Sequence, residues 1–369
     1  MKRYISNDTY KVLYMRKVTL KEIAESLGVS PSLVSGVLNN RPGVWASDET
    51  RQRIIREAKV RGYRPYHAAR ALRSGKTYNV LLVYQPTPAI PIDTIASALA
   101  AKGYSLQVMV SLDPVKMQKK LQNILSAGIC DAIIMWIDEP YIEPLAEIIS
   151  DLPIPVVLKG RYERVHPEWY QVDFDHERMM ATAVAHLRSI GHQRIGYMGY
   201  LREHEFARML LKGYLEAMHS FIGTEIPSVY YEHCVAEPED AEQIVDIWFS
   251  LPASVRPTAA VVGAGNSAWY GIERALFRRG LFIGEEPGDF AVCGQSYEGL
   301  FLSFGSAYAF QDLELRTLAM AMVERLLLPL LSERKPAERI IRILPSLVPV
   351  RSHLLRQYLP IQESVSDVL

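Results

Sequence analysis

The chain lacks several features that mark common classes of protein. Its 369 residues include only three cysteines, Cys130, Cys234 and Cys293, which are far apart and lie among apolar neighbours. We therefore expect buried thiols rather than a disulfide framework or a zinc site. The longest apolar runs, such as Ala132–Ile137, are far shorter than the ~20 residues of a membrane span, and the first residues form no apolar signal segment. These absences predict a cytoplasmic globular protein without a membrane partner.

Net charge is also absent, but only for the chain as a whole. Residues 1–76 contain 16 Lys and Arg against 6 Asp and Glu, a net charge of +10, and residues 77–369 carry −10. A small unit with this excess of basic residues is typical of proteins that bind a polyanion, above all nucleic acid. A solvated basic surface without a partner is the alternative.

Three short helices are predicted between residues 19 and 62. Each has its own start: a capping box of Thr19 with Glu22, Ser30 before a proline, and Ser47 before two acidic residues. Only three residues, 28–30, separate the first two helices, so these must cross steeply, as in a helix-turn-helix. A generic three-helix bundle is the alternative, and the basic charge favours DNA binding.

Five stretches of this segment match a known pattern: Val18–Ser35, Val37–Asn40, Glu49–Arg51, Gly62–Pro65 and Ala69–Arg73. Together they resemble the DNA-binding headpiece and hinge of the lactose-repressor (LacI/GalR) family. The resemblance implies that the second helix enters the major groove and that a hinge helix wedges Leu72, with Ala69 beside it, into the minor groove. The DNA-contacting residues that it implies are Thr19, Ser30, Ser32, Leu33, Ser35, Asn39, Tyr66, Ala69 and Leu72.

The segment also departs from the family pattern. Gly36 stands where many relatives carry an arginine that contacts guanine, so base contacts must depend on Ser32, Leu33 and Ser35. Two inserted residues, 45–46, lengthen the loop before the third helix, and Tyr66 replaces a frequent asparagine. The first 14 residues precede the usual family start, and we expect residues 1–16 to be a flexible extension.

From residue 79 onward, short apolar runs alternate with helical patterns. The predicted strands are 79–84, 105–110, 131–136, 155–158, 194–199, 228–232, 259–262 and 289–293. The predicted helices are 91–102, 114–127, 141–150, 175–190, 204–220, 237–250 and 266–279. This alternation is typical of parallel, doubly wound sheets, and its restart at residue 175 predicts two lobes with a ligand cleft at the carboxyl ends of the strands.

Several core stretches also match a pattern: His186–Gly199, Gly213–Tyr214, Pro257–Ala259, Arg279–Leu281, Val292–Gly294 and Leu347–Ser352. They resemble the regulatory core of the same family, which is similar to periplasmic sugar-binding proteins. The effector-binding residues that the resemblance implies are Tyr84, Trp136, Arg161, Arg208, Asn266, Ser296 and Gln311. Leu210 and Ser296 stand where relatives place the arginine and aspartate that bind sugar hydroxyls, so we expect simple monosaccharides to bind poorly.

Other chemistries find little support in the sequence. The glycines of residues 263–265 lack the third glycine of a dinucleotide loop, the histidines have no metal-ligand spacing, and no nucleophile motif is evident. We therefore expect neither an enzyme nor a cofactor. The predicted function is a repressor that forms a homodimer, binds double-stranded operator DNA, and responds to a small ligand, for which a sugar or glycoside is one candidate. A carbohydrate-binding or carbohydrate-modifying protein with the head as an adaptor is the alternative.

The predicted fold class is α/β, with a three-helix head and a hinge helix joined to a two-lobed, periplasmic-binding-protein-like core. The predicted domains are the extension 1–16, the helix-turn-helix domain 17–64, the hinge and linker 65–76, the effector-binding and dimerisation core 77–352, and a tail 353–369. Lobe one is predicted to span about 77–174 and 310–337, and lobe two about 175–309 and 338–352.

Overall fold

The fold is taken from a computed structural model and forms two compact units, Met1–Thr77 and Tyr78–Leu369. The structure describes residues 18–38, 43–63, 75–85, 91–111, 113–137, 139–150, 152–162, 168–223, 225–284, 288–296, 306–310 and 314–351. We call the first unit the head and the second the core.

The described part of the head consists of three helices around a small apolar centre. Helix α1 spans Leu20–Leu27, α2 spans Pro31–Leu38 and α3 spans Asp48–Val60. Their buried residues are Ile23, Ala24, Val34, Val37, Ile54 and Ala58. The predicted starts are confirmed: the Thr19 capping box is complete, the Ser47 hydroxyl accepts from the Thr50 amide, and Gly28 ends α1 at φ 64°.

The first sheet of the core has six strands in the order β10-β5-β4-β3-β1-β2, and every pairing in it is parallel. The strands are β1 (Asn79–Tyr84), β2 (Ser105–Val110), β3 (Ala132–Trp136), β4 (Val156–Lys159), β5 (Tyr170–Phe174) and β10 (Ile340–Ile343). The helices between its first four strands are α4 (Ile92–Ala100), α5 (Pro114–Ser126) and α6 (Glu139–Ile149).

The second sheet has five strands in the order β11-β9-β8-β7-β6. They are β6 (Ile195–Met198), β7 (Ala259–Val262), β8 (Ala291–Gln295), β9 (Ser306–Phe310) and β11 (Leu347–Arg351). Its helices are α7 (His176–Ser189), α8 (Glu205–Ile222), α9 (Pro238–Ser250) and α10 (Asn266–Phe277). Four strands run parallel, whereas β11 is antiparallel to β9, so the expectation of purely parallel sheets was wrong for this edge.

The chain passes between the two sheets three times: from β5 to α7, from β9 to α11 (Glu314–Met320), and from β10 to β11. A π-helical segment, Ala321–Leu327, and α12 (Leu328–Leu331) continue from α11. The predicted return to lobe two at residue 338 was wrong, because β10 pairs with β5 in the first sheet. The third passage instead follows residue 343.

Helices cover both faces of each sheet. One large cluster joins residues of both sheets to α4, α7, α8 and the segment after residue 314. A second cluster packs α9 and α10 on the five-stranded sheet, and a third packs α5 and α6 on the six-stranded sheet. Nearly all inward side chains are aliphatic or aromatic, as parallel sheets buried on both faces require.

The strand predicted at 228–232 was wrong. Residues Ser228–Tyr230 form a 3-10 helix after Pro227, whose carbonyl accepts from the Tyr230 amide at 2.9 Å. The place beside β6 is taken by a single parallel bridge between Gly199 and Cys234. Strand β5 and strands β9 to β11 were missed. Among the described residues, no helix combines the length and apolar character needed to cross a bilayer.

Candidate DNA interface and candidate ligand site

The predicted DNA-contacting residues in the described head lie at the starts of its first two helices. Thr19 is exposed. Its hydroxyl accepts from the Glu22 amide at 3.2 Å, and its own amide donates to the Glu22 carboxylate at 2.8 Å. The Ser30 hydroxyl accepts from the Leu33 amide at 3.2 Å and lies 3.0 Å from the Ser32 hydroxyl. The bonds of Ser30 stabilise the connection between α1 and α2 and the first helical turn of α2.

The exposed face of α2 is narrower than predicted. Ser32 is exposed and Leu33 is half-buried, whereas Ser35 is only 8% exposed and lies beside the core residue Val34. Ser35 lies one helical turn after Ser32, but it is almost wholly covered within the head, whereas Ser32 is exposed. Four further predicted contacts lie outside the described residues: Asn39, Tyr66, Ala69 and Leu72.

Helix α3 supplies basic side chains. Arg53, Arg56 and Lys59 are exposed, and within the described part of the chain they form no ion pair. Arg61 differs, because its Nε atom lies 2.6 Å from Oε1 of Glu57. This contact and a hydrogen bond from the Ser26 hydroxyl lower the pKa of Glu57. The unpaired cations are available to phosphate oxygens.

In the core, the structure places three predicted ligand residues at one edge of the six-stranded sheet. Tyr84 and Trp136 end the adjacent strands β1 and β3 and are directly paired in the register. Arg161 lies two residues after β4, where its guanidinium bonds the carboxylate of Glu177 at the start of α7. Burial acts to raise the pKa of Glu177, but Arg161 outweighs it and lowers the pKa overall.

A buried ionic group, missed by sequence reasoning, lies beside this edge. Asp173 is 3.5 Å from the Lys159 ammonium and 3.2 Å from Nε2 of His176, and the Asp173 and His176 side chains are almost fully buried. Burial acts to raise the pKa of the Asp173 carboxyl, but Lys159 and His176 outweigh it and hold the pKa well below its ordinary range. Nδ1 of His176 and Oε2 of Glu177 are buried with no hydrogen-bond partner among the described residues.

Aromatic rings surround His176 and were also missed. We call Phe174, His176, Tyr200, His204 and Phe206 the strand-end aromatic cluster. The His176 ring lies 6.3 Å from Phe174 and 6.1 Å from Phe206, and Phe206 is stacked on Tyr200 at 5.9 Å. The cluster joins the end of β5, in the first sheet, to the loop after β6, in the second. Among them, Tyr200 directly follows the strand predicted at 194–199, and this position could have identified it.

The remaining predicted ligand residues are not brought into one site. Arg208 is turned to its own loop, where it donates to the carbonyls of Arg202 at 3.1 Å and Glu203 at 2.8 Å. Ser296 is 1% exposed, and its hydroxyl lies 3.4 Å from the carbonyl of Phe310. Asn266 begins α10 and is half-buried. Gln311 lies outside the described residues.

The structure also places Leu210 and the three cysteines. Leu210 is fully buried in the large cluster, so an apolar core residue occupies the position at which relatives carry the sugar-binding arginine. Cys130 and Cys293 are buried, and Cys234 is half-buried. Within the described residues, no group of three His, Cys, Asp or Glu side chains is arranged to hold a metal ion.

Comparison with known proteins adds independent findings. No family model matches the chain. The HTH-type transcriptional regulator AglR of Rhizobium meliloti (strain 1021) is 28% identical over 276 residues, which cover 73% of this chain and 76% of that protein. This chain is thus similar over most of its length to a regulator with a helix-turn-helix.

Solved structures share the fold. The lac repressor dimer bound to operator and the anti-inducer ONPF has a TM-score of 0.68 at 22% identity, covering 90% of this chain and 98% of that one. The complex of the transcriptional regulator CelR with cellobiose has a TM-score of 0.57 at 20% identity, with the same two coverages. The arrangement of a three-helix head and two sheets is therefore common to all three proteins.

Proposed function

Because the chain belongs to the lactose-repressor (LacI/GalR) family of transcriptional regulators, we propose that it is a repressor controlled by a small ligand. It is a transcriptional regulator and not an enzyme. In the proposed mechanism, two copies bind one palindromic operator through their heads, and a ligand at the core changes the affinity of that complex. Its proposed place of action is the nucleoid in the cytoplasm.

The observation that carries this proposal is the helix-turn-helix of the head. Two short helices joined by residues 28–30 present Ser32 at an exposed helix start, and the basic side chains of α3 lie in the same small unit. A net charge of +10 over residues 1–76 favours phosphate contacts, and polar side chains at the start of α2 can contact base edges.

The hinge contacts are proposed on the family resemblance. Leu72, with Ala69 beside it, would wedge between base pairs and bend the duplex, and Asn39 and Tyr66 would contact DNA nearby. The proposed domain bounds, 17–64 for the head domain and 65–76 for the hinge and linker, follow from the same resemblance. Homodimer formation places two hinges on one operator, as a palindrome requires.

The proposed ligand site is the edge where Tyr84, Trp136 and Arg161 lie, together with the strand-end aromatic cluster. Aromatic faces pack well on the apolar faces of sugar rings and on planar groups. Polar atoms of His176 and Glu177 offer hydrogen-bonding capacity that the described protein groups do not use. We propose a glycoside or oligosaccharide with more than one ring, and the cellobiose complex of CelR shows that this fold accepts such a molecule.

Selection from a random library of 30-base-pair duplexes by the full chain tests the DNA-binding function. The enriched sequences should contain a palindrome, and the logarithm of affinity should fall linearly with the logarithm of salt concentration, by about 0.9 per phosphate neutralised. Enrichment of no sequence, or affinity that does not depend on salt, would contradict the proposal.

A matched pair of variants tests the contact face. Ser32→Ala removes an exposed hydroxyl of α2 and should change the preferred base at one position of each half-site. Ser220→Ala removes a hydroxyl of the core that bonds only its own helix, and it should leave the selected sequence unchanged. Equal sequence preferences for both variants would exclude Ser32 from base contact.

A further inference from the structure

Trp45 is unlike every other tryptophan of the chain. Its side chain is 88% exposed, whereas Trp136, Trp169, Trp248 and Trp269 are at most 6% exposed. Tryptophan is a large apolar residue that proteins usually cover, and exposed tryptophans are enriched at binding surfaces. Trp45 therefore presents a large apolar surface that the described residues leave uncovered.

Val44, the residue before Trp45, packs closely on helix α2 at Gly36. A Cβ atom at Gly36 would lie 2.5 Å from Cγ2 and 2.8 Å from Cγ1 of Val44, which is shorter than van der Waals contact. Only glycine leaves room for Val44 at this point. Because Gly36 has no side chain, Val44 and the loop before α3 can pack directly on α2.

Gly36 is itself one of the buried residues of α2. Gly36 follows Ser32 by four residues and Leu33 by three, and such residues share one helix face. Val44 thus lies against α2 one turn beyond Ser32, and the exposed Trp45 is its neighbour in the chain. Gly36 leaves space for the loop before α3, and the inserted residues 45–46 lengthen that loop.

We propose that Trp45 is a direct DNA contact, which packs its indole ring on a sugar or thymine methyl beside the bases faced by Ser32. This inference rests on the proposed function. Operator DNA is the occupant because the indole belongs to a unit of net charge +10 whose Arg53 and Arg56 are exposed and unpaired within the described residues. A protein surface would have to supply an acidic patch around the same ring.

Fluorescence of the full chain provides a direct test, because the other four tryptophans are buried from a quencher in water. Acrylamide should quench Trp45 in the free protein, and the duplexes enriched by the selection should protect it. If the protein binds these duplexes and quenching is unchanged, the inference is wrong. If no duplex is bound at all, the proposed function fails first, so the two failures are distinguishable.

Variants give a second test. Trp45→Ala should weaken binding to the enriched duplexes about tenfold, the size expected for truncation of a tryptophan at an interface centre. Val60→Ala is the matched control, because Val60 is another apolar side chain of the head and is 76% exposed. It should bind as the wild type does, and both variants should melt at the wild-type temperature.

The link to Gly36 is tested by Gly36→Ala, which should displace Val44 and weaken binding in the wild-type background. In the Trp45→Ala background the same change should have a smaller effect, because the contact that it disturbs is already lost. Wild-type affinity of Trp45→Ala overturns the proposal. A change only in sedimentation, with unchanged DNA affinity per dimer, would assign Trp45 to contact with a second copy instead.

Discussion

The head and the core present their functional residues in opposite ways. In the head, Thr19, Ser30 and Ser32 are exposed, and their geometry is set by hydrogen bonds within three residues. In the core, Asp173 and His176 are buried, and their ionic partner Lys159 comes from another strand. The proposed DNA-binding surface is thus built locally, whereas the proposed ligand site depends on contacts between distant parts of the core.

This contrast predicts the largest effect for Asp173. Asp173→Ala leaves the Lys159 ammonium without its buried partner, so the free energy of unfolding of the core should fall by about 3 kcal/mol or more. Urea unfolding followed by the buried tryptophans measures the loss. Lys212→Ala is the control, since it breaks an exposed pair with Glu216 and should cost less than about 0.5 kcal/mol.

Hydrogen exchange would sharpen the comparison. Amides of α1 in the head should keep their wild-type protection in Asp173→Ala, because the head has its own apolar centre. Equal loss of protection in α1 and in the core strands would show that the two units unfold together.

The next largest change in the free energy of unfolding of the core is expected from ligand binding. At one hundred times its dissociation constant, a ligand adds about 2.7 kcal/mol to the free energy of unfolding. We expect a disaccharide or aryl glycoside in a thermal-shift panel to raise the melting temperature and free glucose, galactose or ribose to leave it unchanged. The family resemblance implies an arginine at the position of Leu210, where a charge-assisted bond to a sugar hydroxyl would be worth about 1.5–3 kcal/mol, and fully buried Leu210 cannot form that bond.

The control for the panel is Phe206→Ala, which removes the central ring of the strand-end aromatic cluster. It should abolish the shift caused by the active glycoside. A micromolar response to a free monosaccharide would contradict the assigned site.

Acid should weaken the core through protonation of Asp173. The pKa of Asp173 is lower in the folded than in the unfolded state, where it is about 3.9. Its stabilising contribution is therefore complete above about pH 4 and is lost as the pH falls towards its folded value. The difference in unfolding free energy between the wild type and Asp173→Asn should shrink over that interval. A constant difference between pH 5 and pH 2 would contradict the assignment.

The smallest effect is expected at the head caps. Thr19→Ala removes one half of the capping box of α1 and should lower the free energy of unfolding of the head by about 1 kcal/mol. Exchange rates of α1 amides measure it. Thr182→Ala is the control, because that hydroxyl bonds only the carbonyl of Arg178 within α7.

The same contrast explains which features the sequence could predict. The starts of α1 and α3 depend on Thr19 and Ser47, whose partners lie three residues away, so a short pattern is sufficient. Strand β10 depends on β5, some 170 residues earlier, and four residues in an otherwise irregular stretch give no local indication of that pairing. The strand expected at 228–232 failed because Pro227 and the packing of Tyr230 favour a tight turn.

The candidate sites follow this rule. Ser32, Tyr84 and Trp136 were implied by the family resemblance, and the structure places Ser32 at a helix start and the two aromatic residues at strand ends. The contact of His176 with Phe206 could not be predicted, since it depends on how α7 packs on α8. Gly213 shows how tight that packing is: a Cβ there would lie 2.3 Å from the backbone carbonyl oxygen of Glu177.

The three passages of the chain between the sheets have a consequence for how the core can be cut. Neither sheet is encoded by one continuous stretch, so no truncation at a single point removes one lobe and leaves the other whole. A protease that cleaves one passage leaves two fragments, and each still supplies strands to a sheet that the other completes. Such fragments should stay associated after a nick and reassemble when mixed, as in a split reporter protein. A truncation after β5 would remove the whole second sheet but also β10, which pairs with β5 in the first sheet. Its product should therefore be degraded rather than act as a ligand-blind repressor.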